Sequence, residues 1–260
     1  MNLADANARN LTAALSGYGE MTRRSGVLMI TAPVAYSVFN IALMEAAAPE
    51  VEGELARRIR LARQHYEAMG YPWSFWICEN DLGRREMRRL FETFANEGMS
   101  CIAESPGMDV AELREEWRRL PALDFKPVED EWARADFSMI VCASFHIPPA
   151  MAAAVYLGPE FWSGRLKAWV GYHRGRAVTT AAAVDSGGVL GLYSVATLPE
   201  YRRMGFGEVA VRHAVARARE AGANGPLVLQ SSSGAYSLYR ELGFRRRTRF
   251  FIFATPETVR

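Results

Sequence analysis

The sequence predicts an α/β fold: a mixed central sheet in the C-terminal part, preceded by a second α/β domain. The strongest observation is an apolar strand, a glycine turn, a helix and another apolar strand between residues 195 and 231. Such a unit forms a right-handed crossover between parallel strands. Before it, "LKAWVGYHRGRAVTTAAAVDSGGVLGLYSVAT" contains three strands separated by the turns "HRGR" and "DSGG", which is typical of an antiparallel meander. Strand and helix patterns also alternate in the first 120 residues.

Composition limits the classes of protein to which the chain can belong. Of its 260 residues, 50% are hydrophobic and 23% are charged, which is typical of a globular protein with a sizeable core. The net charge of +2 argues against a nucleic-acid or membrane partner. Three scattered cysteines, with no Cys-x-x-Cys or His-x-x-x-His pair, predict reduced thiols and no metal site. No stretch reaches the roughly 20 apolar residues of a membrane span, so we expect a cytoplasmic protein.

The elements of the first part follow from periodicity and from turn residues. A helix is predicted over 4–15, a strand over 26–34, and an amphipathic helix over 51–70, where apolar residues recur at helical spacing from Leu55 to Tyr66. "YPWSFWICEN" then predicts a strand, "GRREMRRLFETFANEGM" a second amphipathic helix, and "SCIAESPGM" a short strand broken by its Pro-Gly pair. "VAELREEWRRL" predicts a third helix.

A domain boundary is predicted after this helix, where Pro121 interrupts the pattern, giving domains 1–122 and 123–260. In the second domain, "EDEWARADFSMIVCASFHI" and "PAMAAAVYLG" predict two helices, and the three-strand meander follows. A helix with an apolar stripe of Val211, Ala214, Val215 and Ala218 begins after the glycine turn. "PLVLQS" predicts a buried strand, "GAYSLYRELG" a short helix and "RFFIFA" a final strand.

The segment "RRMGFG" places two arginines and two glycines where a strand passes into a helix. A helix N-terminus has unpaired N–H groups and a partial positive charge, and glycine lets the backbone approach an anion, so the turn predicts a phosphate site. The alternative is that the glycines only shape a tight turn. A P-loop is excluded because Glu208 follows Gly207 where lysine is required. A dinucleotide site is disfavoured because the next strand ends in Gln and Ser, and because too few residues follow for a doubly wound sheet.

The same segment and the one after it resemble the GNAT superfamily of acyl-CoA-dependent N-acetyltransferases. "RRMGFG" matches the family's Arg/Gln-x-x-Gly-x-Gly/Ala signature, and "LVLQSSSGAYSLYRELGF" is similar to its next strand and helix. The resemblance covers residues 123–260 and implies a GNAT-type mixed sheet there. It also implies acetyl-CoA as co-substrate, no metal, and direct attack of a primary amine in a ternary complex. The acceptor is expected to be a small-molecule or protein amine, and the protein a monomer or homodimer.

The resemblance further implies which residues bind CoA. The strand before the turn is expected to splay from its neighbour, so that its main chain binds the pantetheine arm like an added strand. Main-chain N–H groups of the turn are expected to cradle the pyrophosphate, with an arginine in the signature basic position. A serine after the next strand is expected either to bind CoA or to cap the following helix. The expected CoA-binding residues are Val195, Ala196, Thr197, Arg202, Arg203, Met204, Gly205, Phe206, Gly207, Glu208 and Ser232.

Tyr239 is the expected catalytic residue. It lies in "SLYRELGF", where many family members carry a tyrosine that protonates the departing CoA thiolate, and Tyr236 is the fallback donor. The alternative is that Tyr239 only packs on a helix face. No glutamate occupies the strand before the turn, where Tyr193 stands in the corresponding region, and the candidates for the general base are His173 and Asp185.

The first domain is similar to a degenerate second GNAT domain, as in tandem members of the superfamily, and it lacks the glycine turn. Trp73, Phe75 and Trp76 either line an acceptor cleft or belong to the core. The missing glutamate leaves a second function open, that of a non-catalytic acetyl-CoA sensor or regulatory module.

Overall fold

The structure is a computed structural model that describes residues 2–49 and 51–255. These residues form two compact units. The first unit holds the chain up to Gly17 together with Met108–Arg246, and the second holds Tyr18–Gly107 together with the chain after Arg246. The predicted α/β class with a mixed sheet is confirmed.

The helices and strands have the following bounds. The helices are α1 (Leu3–Leu15), α2 (Glu54–Glu67), α3 (Arg84–Asn96), α4 (Glu131–Phe145), α5 (Pro149–Tyr156), α6 (Pro159–Trp162), α7 (Phe206–Glu220) and α8 (Tyr236–Glu241). The strands are β1 (Glu20–Arg24), β2 (Val27–Thr31), β3 (Ile41–Met44), β4 (Ser74–Cys78), β5 (Ser100–Val110), β6 (Asp124–Pro127), β7 (Lys167–His173), β8 (Arg176–Ser186), β9 (Val189–Thr197), β10 (Leu227–Gln230) and β11 (Arg245–Ala254).

The first unit is organised around strands in the order β10-β9-β8-β7-β6. β9 and β10 run parallel, as expected for the crossover, while β6, β7, β8 and β9 are antiparallel neighbours. The apolar stripe predicted on α7 packs against these strands, with Val211 and Ala214 fully buried beside Leu190 and Leu227. Because α7 connects β9 to β10, this packing fixes the turn between β9 and α7 at one end of the sheet.

α1 belongs to the first unit, although it is far from the rest of that unit in sequence. Its Ala6 packs with Val189 and Val228, and its Asn7 and Asn10 are almost completely buried. An isolated amphipathic pattern does not indicate which sheet a helix will cover. The predicted division at residues 122 and 123 has different bounds from these units and stays a prediction.

The second unit has strands in the order β1-β2-β3-β4-β11-β5, with β3 and β4 parallel. Its core is aromatic: Trp73 stacks on Tyr66 with ring centroids 5.3 Å apart, and Phe94 stacks on Phe253 at 3.6 Å. Trp73 and Phe75 are buried in this core. Of the two alternatives for the aromatic segment, the structure therefore favours the core for these two residues.

Two local predictions are wrong, and two strands were not predicted. Residues 111–120 contain no helix, because Leu113 packs against the core of the first unit and Arg118 pairs with Glu208, contacts that an extended path allows. β5 continues through Pro106 and Gly107, and was predicted to break there. β1 and β3 were not predicted, because one is polar and the other is only four residues long.

No helix in the described ranges is long and apolar enough to cross a membrane. Within the same ranges, no three His, Cys, Asp or Glu side chains are grouped so that they could hold a metal ion.

Candidate functional site

The parallel pairing of β9 and β10 ends soon after it begins. Its ladder consists of Leu227 opposite Leu190 and Val228 opposite Gly191. Past these positions the two strands are not paired, and the expected splay stays a prediction. We call the gap beyond Gly191 and Val228 the split.

A β-bulge in β9 lies beside the split. Thr180 of β8 pairs with Ala196 and Ala182 pairs with Tyr193, so β9 has one residue more than β8 over this stretch. Ser194 has a φ of 47°, a left-handed conformation that is uncommon outside glycine. The bulge therefore changes which backbone groups of β9 face the split.

The carbonyl groups of β9 identify the residue that faces the split. Those of Ser194 and Ala196 both accept hydrogen bonds of 2.7 Å from threonine hydroxyls of β8, so they point toward β8. Because backbone groups alternate along a strand, Val195 directs its N–H and C=O to the opposite side. Ala196 is buried, and the Thr197 hydroxyl lies 3.0 Å from that of Thr179. Of the three expected pantetheine-binding residues, Val195 thus has its main chain toward the split.

The turn between β9 and α7 ends in two left-handed residues. Arg203 has a φ of 65° and Gly205 a φ of 87°, and Gly205 is the N-cap of α7. No side chain among the described residues caps this helix end. The N–H groups of the first helical turn thus lack an intrahelical partner, and together with the helix dipole they form an anion-binding position.

Gly207 is the point at which three parts of the site meet. A Cβ built on it would lie 3.4 Å from the Leu238 Cδ2 atom of α8 and 3.6 Å from the Thr197 hydroxyl at the end of β9. The strand before the turn, the first turn of α7 and the helix that carries Tyr239 are therefore within contact distance of one another. Sequence patterns predicted each part, and the fold brings them together.

The side chains of the turn have different environments. Arg202 is exposed, and its Nε donates to the Thr197 carbonyl at 3.1 Å, so it ties the turn to the end of β9. Arg203 and Met204 are exposed, with Met204 at 50%. Phe206 is buried, with its ring 5.0 Å from that of His173. Only the main chain of Phe206 can therefore contact a ligand.

Glu208 is a buried carboxylate in the first turn of α7. It accepts 2.9 Å hydrogen bonds from Arg118 and from Arg212. Two guanidinium groups thus compensate a negative charge that lies beside the anion-binding position. Sequence reasoning did not identify Arg118, because its partner is 90 residues away in the chain.

Tyr239 is almost completely buried, with 5% of its surface exposed, and its ring meets that of Phe244 edge-on at 5.6 Å. Burial raises the pKa of Tyr239, and no hydrogen bond within the described residues contributes to that shift. The hydroxyl is therefore neutral in the physiological range and has a proton to donate.

Tyr236, the fallback donor, lines a cavity of about 680 Å³ together with Arg114, Arg240, Arg245 and Arg246. Ser232 is exposed, and its side chain does not cap the helical turn that follows it. The capping alternative for Ser232 is therefore wrong, whereas the CoA-binding alternative stays a prediction.

Tyr193, which stands near the position of the missing glutamate, and the two candidate bases have different environments. The Tyr193 hydroxyl donates to Asn10, and burial raises its pKa, so it stays protonated and cannot accept a proton. His173 packs beside Phe206 near the turn, whereas Asp185 is exposed toward the far end of β8. His173 is thus the nearer of the two predicted candidates to the turn.

Comparisons with known proteins agree with this geometry. The profile of the acetyltransferase (GNAT) family matches residues 112–244. The chain is similar to a GCN5-related N-acetyltransferase from Kribbella flavida, with 20% identity, coverage of 98% of this chain and 96% of that chain, and a TM-score of 0.75. A GCN5-related N-acetyltransferase from Sphaerobacter thermophilus has 14% identity, coverage of 97% and 92%, and a TM-score of 0.55.

A tandem GNAT protein from the clavulanic acid biosynthesis pathway matches at 11% identity, with coverage of 89% of this chain and 80% of that chain and a TM-score of 0.56. Because these likenesses extend well before residue 112, they confirm the predicted GNAT-like fold of the N-terminal part. No curated protein matches the chain.

Proposed function

Because the chain belongs to the acetyltransferase (GNAT) family, we propose that it transfers an acetyl group from acetyl-CoA to a primary amine, which attacks directly in a ternary complex. The amine belongs to a small molecule or to a protein. The observation that carries the proposal is the convergence at Gly207 of the split strand, the uncapped start of α7 and the helix with Tyr239. The predicted cytoplasmic location and monomeric or homodimeric state stay predictions.

In this proposal the main chain does most of the binding. The pantetheine arm lies in the split and pairs with Val195 like an added strand. The pyrophosphate lies at the start of α7, where the N–H groups of Phe206, Gly207 and Glu208 have no intrahelical partner. Arg202 fixes the turn to β9, and the exposed Arg203 is free to approach a phosphate. No metal takes part.

Tyr239 completes the reaction. The amine nitrogen forms a bond to the thioester carbon, the carbon–sulfur bond breaks, and the electron pair stays on sulfur. Tyr239 gives its proton to that thiolate, while the proton of the attacking amine leaves to a base or to water. Tyr239 is assigned this role by its position, because it lies on α8, whose Leu238 approaches Gly207 at the start of α7.

Thiol release from acetyl-CoA tests the proposal. Purified protein is mixed with acetyl-CoA and a panel of primary amines, and free thiol is followed against a sample without amine. We expect release above that background with at least one amine. Binding of acetyl-CoA without thiol release would support a non-catalytic sensor, and absence of binding would refute both functions.

Hydrogen exchange with and without CoA tests the location of the site. Protection is expected mainly after residue 190, in the segment from Val195 to Glu208. Protection centred on residues 73–80 would place the site in the other unit and contradict the proposal.

A further inference from the structure

α1 carries two asparagines on the face that contacts the sheet. Asn7 and Asn10 are one helical turn apart, with 1% and 0% of their surfaces exposed. Asparagine is a poor residue for a helix interior, and a buried amide is costly unless all its polar atoms are satisfied. Two such residues on one buried face need a structural reason.

That reason is a set of hydrogen bonds to the strands around the split. The Asn10 amide donates to the carbonyls of Val184, Ser186 and Val189 at 3.0 to 3.2 Å. The Asn7 amide donates to the Leu229 carbonyl of β10 at 3.1 Å. α1 thus binds both β9 and β10 through side-chain amides.

The same asparagines also bind one side chain from each of the two strands. The Tyr193 hydroxyl donates to Asn10 Oδ1 at 2.7 Å, and the Gln230 amide donates to Asn7 Oδ1. Asn10 with Tyr193 and Asn7 with Gln230 thus form two hydrogen-bonded pairs that α1 joins, and we call these four residues the asparagine bridge.

The asparagine bridge lies where the ladder stops. The last paired positions are Gly191 and Val228, so the same register would place Tyr193 opposite Gln230. This is the next position along the same face of the sheet. In place of main-chain pairing, the two residues are joined through side chains and through α1.

Gly191 shows how closely α1 approaches the strand. A Cβ on Gly191 would lie 1.8 Å from Asn10 Oδ1 and 2.6 Å from the Tyr193 ring. The Asn10 amide occupies the space of a side chain at the last paired residue of β9. Any other residue at 191 would displace Asn10 and break the asparagine bridge.

We propose that Asn7 and Asn10 are positioning residues that set the width of the split and, through it, the affinity for acyl-CoA. This inference rests on the proposed function, since the split is where the pantetheine would lie. Without the asparagine bridge, β9 and β10 are free to pair further or to separate. Either change alters how the N–H and C=O groups of Val195 face the split.

The test compares Asn10→Ala with Asn2→Ala, a matched control in the same helix. The Asn2 side chain caps α1 by accepting from the Ala4 N–H at 3.0 Å. Asn2→Ala therefore weakens the helix without removing a member of the bridge. Tyr193→Phe is a third variant, which keeps the ring and loses only the hydroxyl bond to Asn10.

Three measurements are made on each variant: the Kd for CoA by calorimetry, kcat at saturating acetyl-CoA by thiol release, and amide exchange of residues 192–197 without ligand. For Asn10→Ala we expect a Kd at least about fivefold higher, with kcat at saturating acetyl-CoA within about twofold of wild type. Tyr193→Phe should change in the same direction, and Asn2→Ala should bind CoA as the wild type does. Faster exchange in β9 should accompany the weaker binding.

Wild-type affinity in both Asn10→Ala and Tyr193→Phe would overturn the inference. So would an Asn2→Ala protein that loses affinity as much as Asn10→Ala, because general weakening of α1 would then explain the effect. Failure of the wild type to bind CoA would refute the proposed function. The exchange measurement would then still decide whether the asparagine bridge holds the split, since equal exchange in Asn10→Ala and Asn2→Ala would refute that.

Discussion

Replacement of Tyr239 by phenylalanine separates catalysis from packing. Tyr239 exposes only 5% of its surface, and its ring packs edge-on against Phe244. Phenylalanine retains this packing. Burial is the only cause of the raised pKa of Tyr239, with no hydrogen bond among the described residues contributing. Removal of the hydroxyl therefore leaves no partner unsatisfied and should change the free energy of unfolding by less than about 1 kcal/mol.

The effect on catalysis should be much larger than the effect on stability. General acids typically contribute about 10²–10⁴-fold, which corresponds to about 2.7–5.5 kcal/mol of transition-state stabilisation. We expect Tyr239→Phe to lower kcat by a factor in that range, with the KM for acetyl-CoA nearly unchanged. Steady-state thiol release measures both constants, and Tyr236→Phe is the matched control on the same helix.

The pH dependence of stability gives an independent check on Tyr239. The folded state holds this proton more tightly than the unfolded chain, because burial raises the pKa above 10.0. The stabilisation is fully present below the unfolded pKa of about 10 and is lost as the pH rises from there through the folded pKa. Tyr239→Phe should therefore lose less stability than wild type above about pH 10.

For the kinetic prediction, a kcat of Tyr239→Phe within about twofold of wild type, with chemistry rate-limiting, would show that Tyr239 is only a packing residue.

Substitutions at three further positions test the turn and its supports. Gly207→Val should weaken CoA binding by more than about tenfold, measured by calorimetry, while the protein stays folded. Gly207→Ala should retain the fold, because its Cβ would lie at an ordinary 3.4 Å from Leu238. Wild-type affinity in a folded Val variant would contradict the placement of CoA at this turn. Gly205→Ala should cost about 1–2 kcal/mol, seen as a lower Tm, because its φ is 87°; an unchanged Tm would mean that the turn relaxes freely. Glu208→Gln should lower the free energy of unfolding by about 1–3 kcal/mol, since it removes the charge partner of Arg118 and leaves Arg212 only its 3.8 Å contact with Glu116. Denaturant unfolding that matches wild type would refute a structural role for the ion pairs.

The turn could be predicted from sequence because its chemistry is local. Two glycines, two arginines and the following apolar stripe lie within one segment, and left-handed Gly205 is the N-cap of α7. Tyr239 was found only through the resemblance to a family, since nothing in its own neighbourhood distinguishes a proton donor from a packing residue. Local pattern and family signature therefore identified complementary parts of the candidate site.

Features that depend on distant partners could not be predicted in this way. The segment 111–120 has the apolar spacing of a helix, but Arg118 pairs with Glu208 of α7 and Leu113 packs against the core of the first unit. Those contacts outweigh intrinsic propensity. Asn10 is separated from Tyr193 by 183 residues. A signal was nevertheless present, because Asn7 and Asn10 interrupt the apolar face of a predicted helix, where polar residues are unexpected.

The position of α1 has a consequence for how the protein is made. α1 is translated before its partners in the sheet, because Gln230, which binds Asn7, follows 223 residues later. At about 5–20 residues per second, translation of that interval takes about 11–45 s. For that time α1 exposes the apolar Leu11 and Leu15, and its two asparagine amides bind only water. Contacts of such long sequence separation slow folding. A fragment limited to residues 112–244 would lack α1, and the face of its sheet that Asn7 and Asn10 cover would stay exposed to solvent.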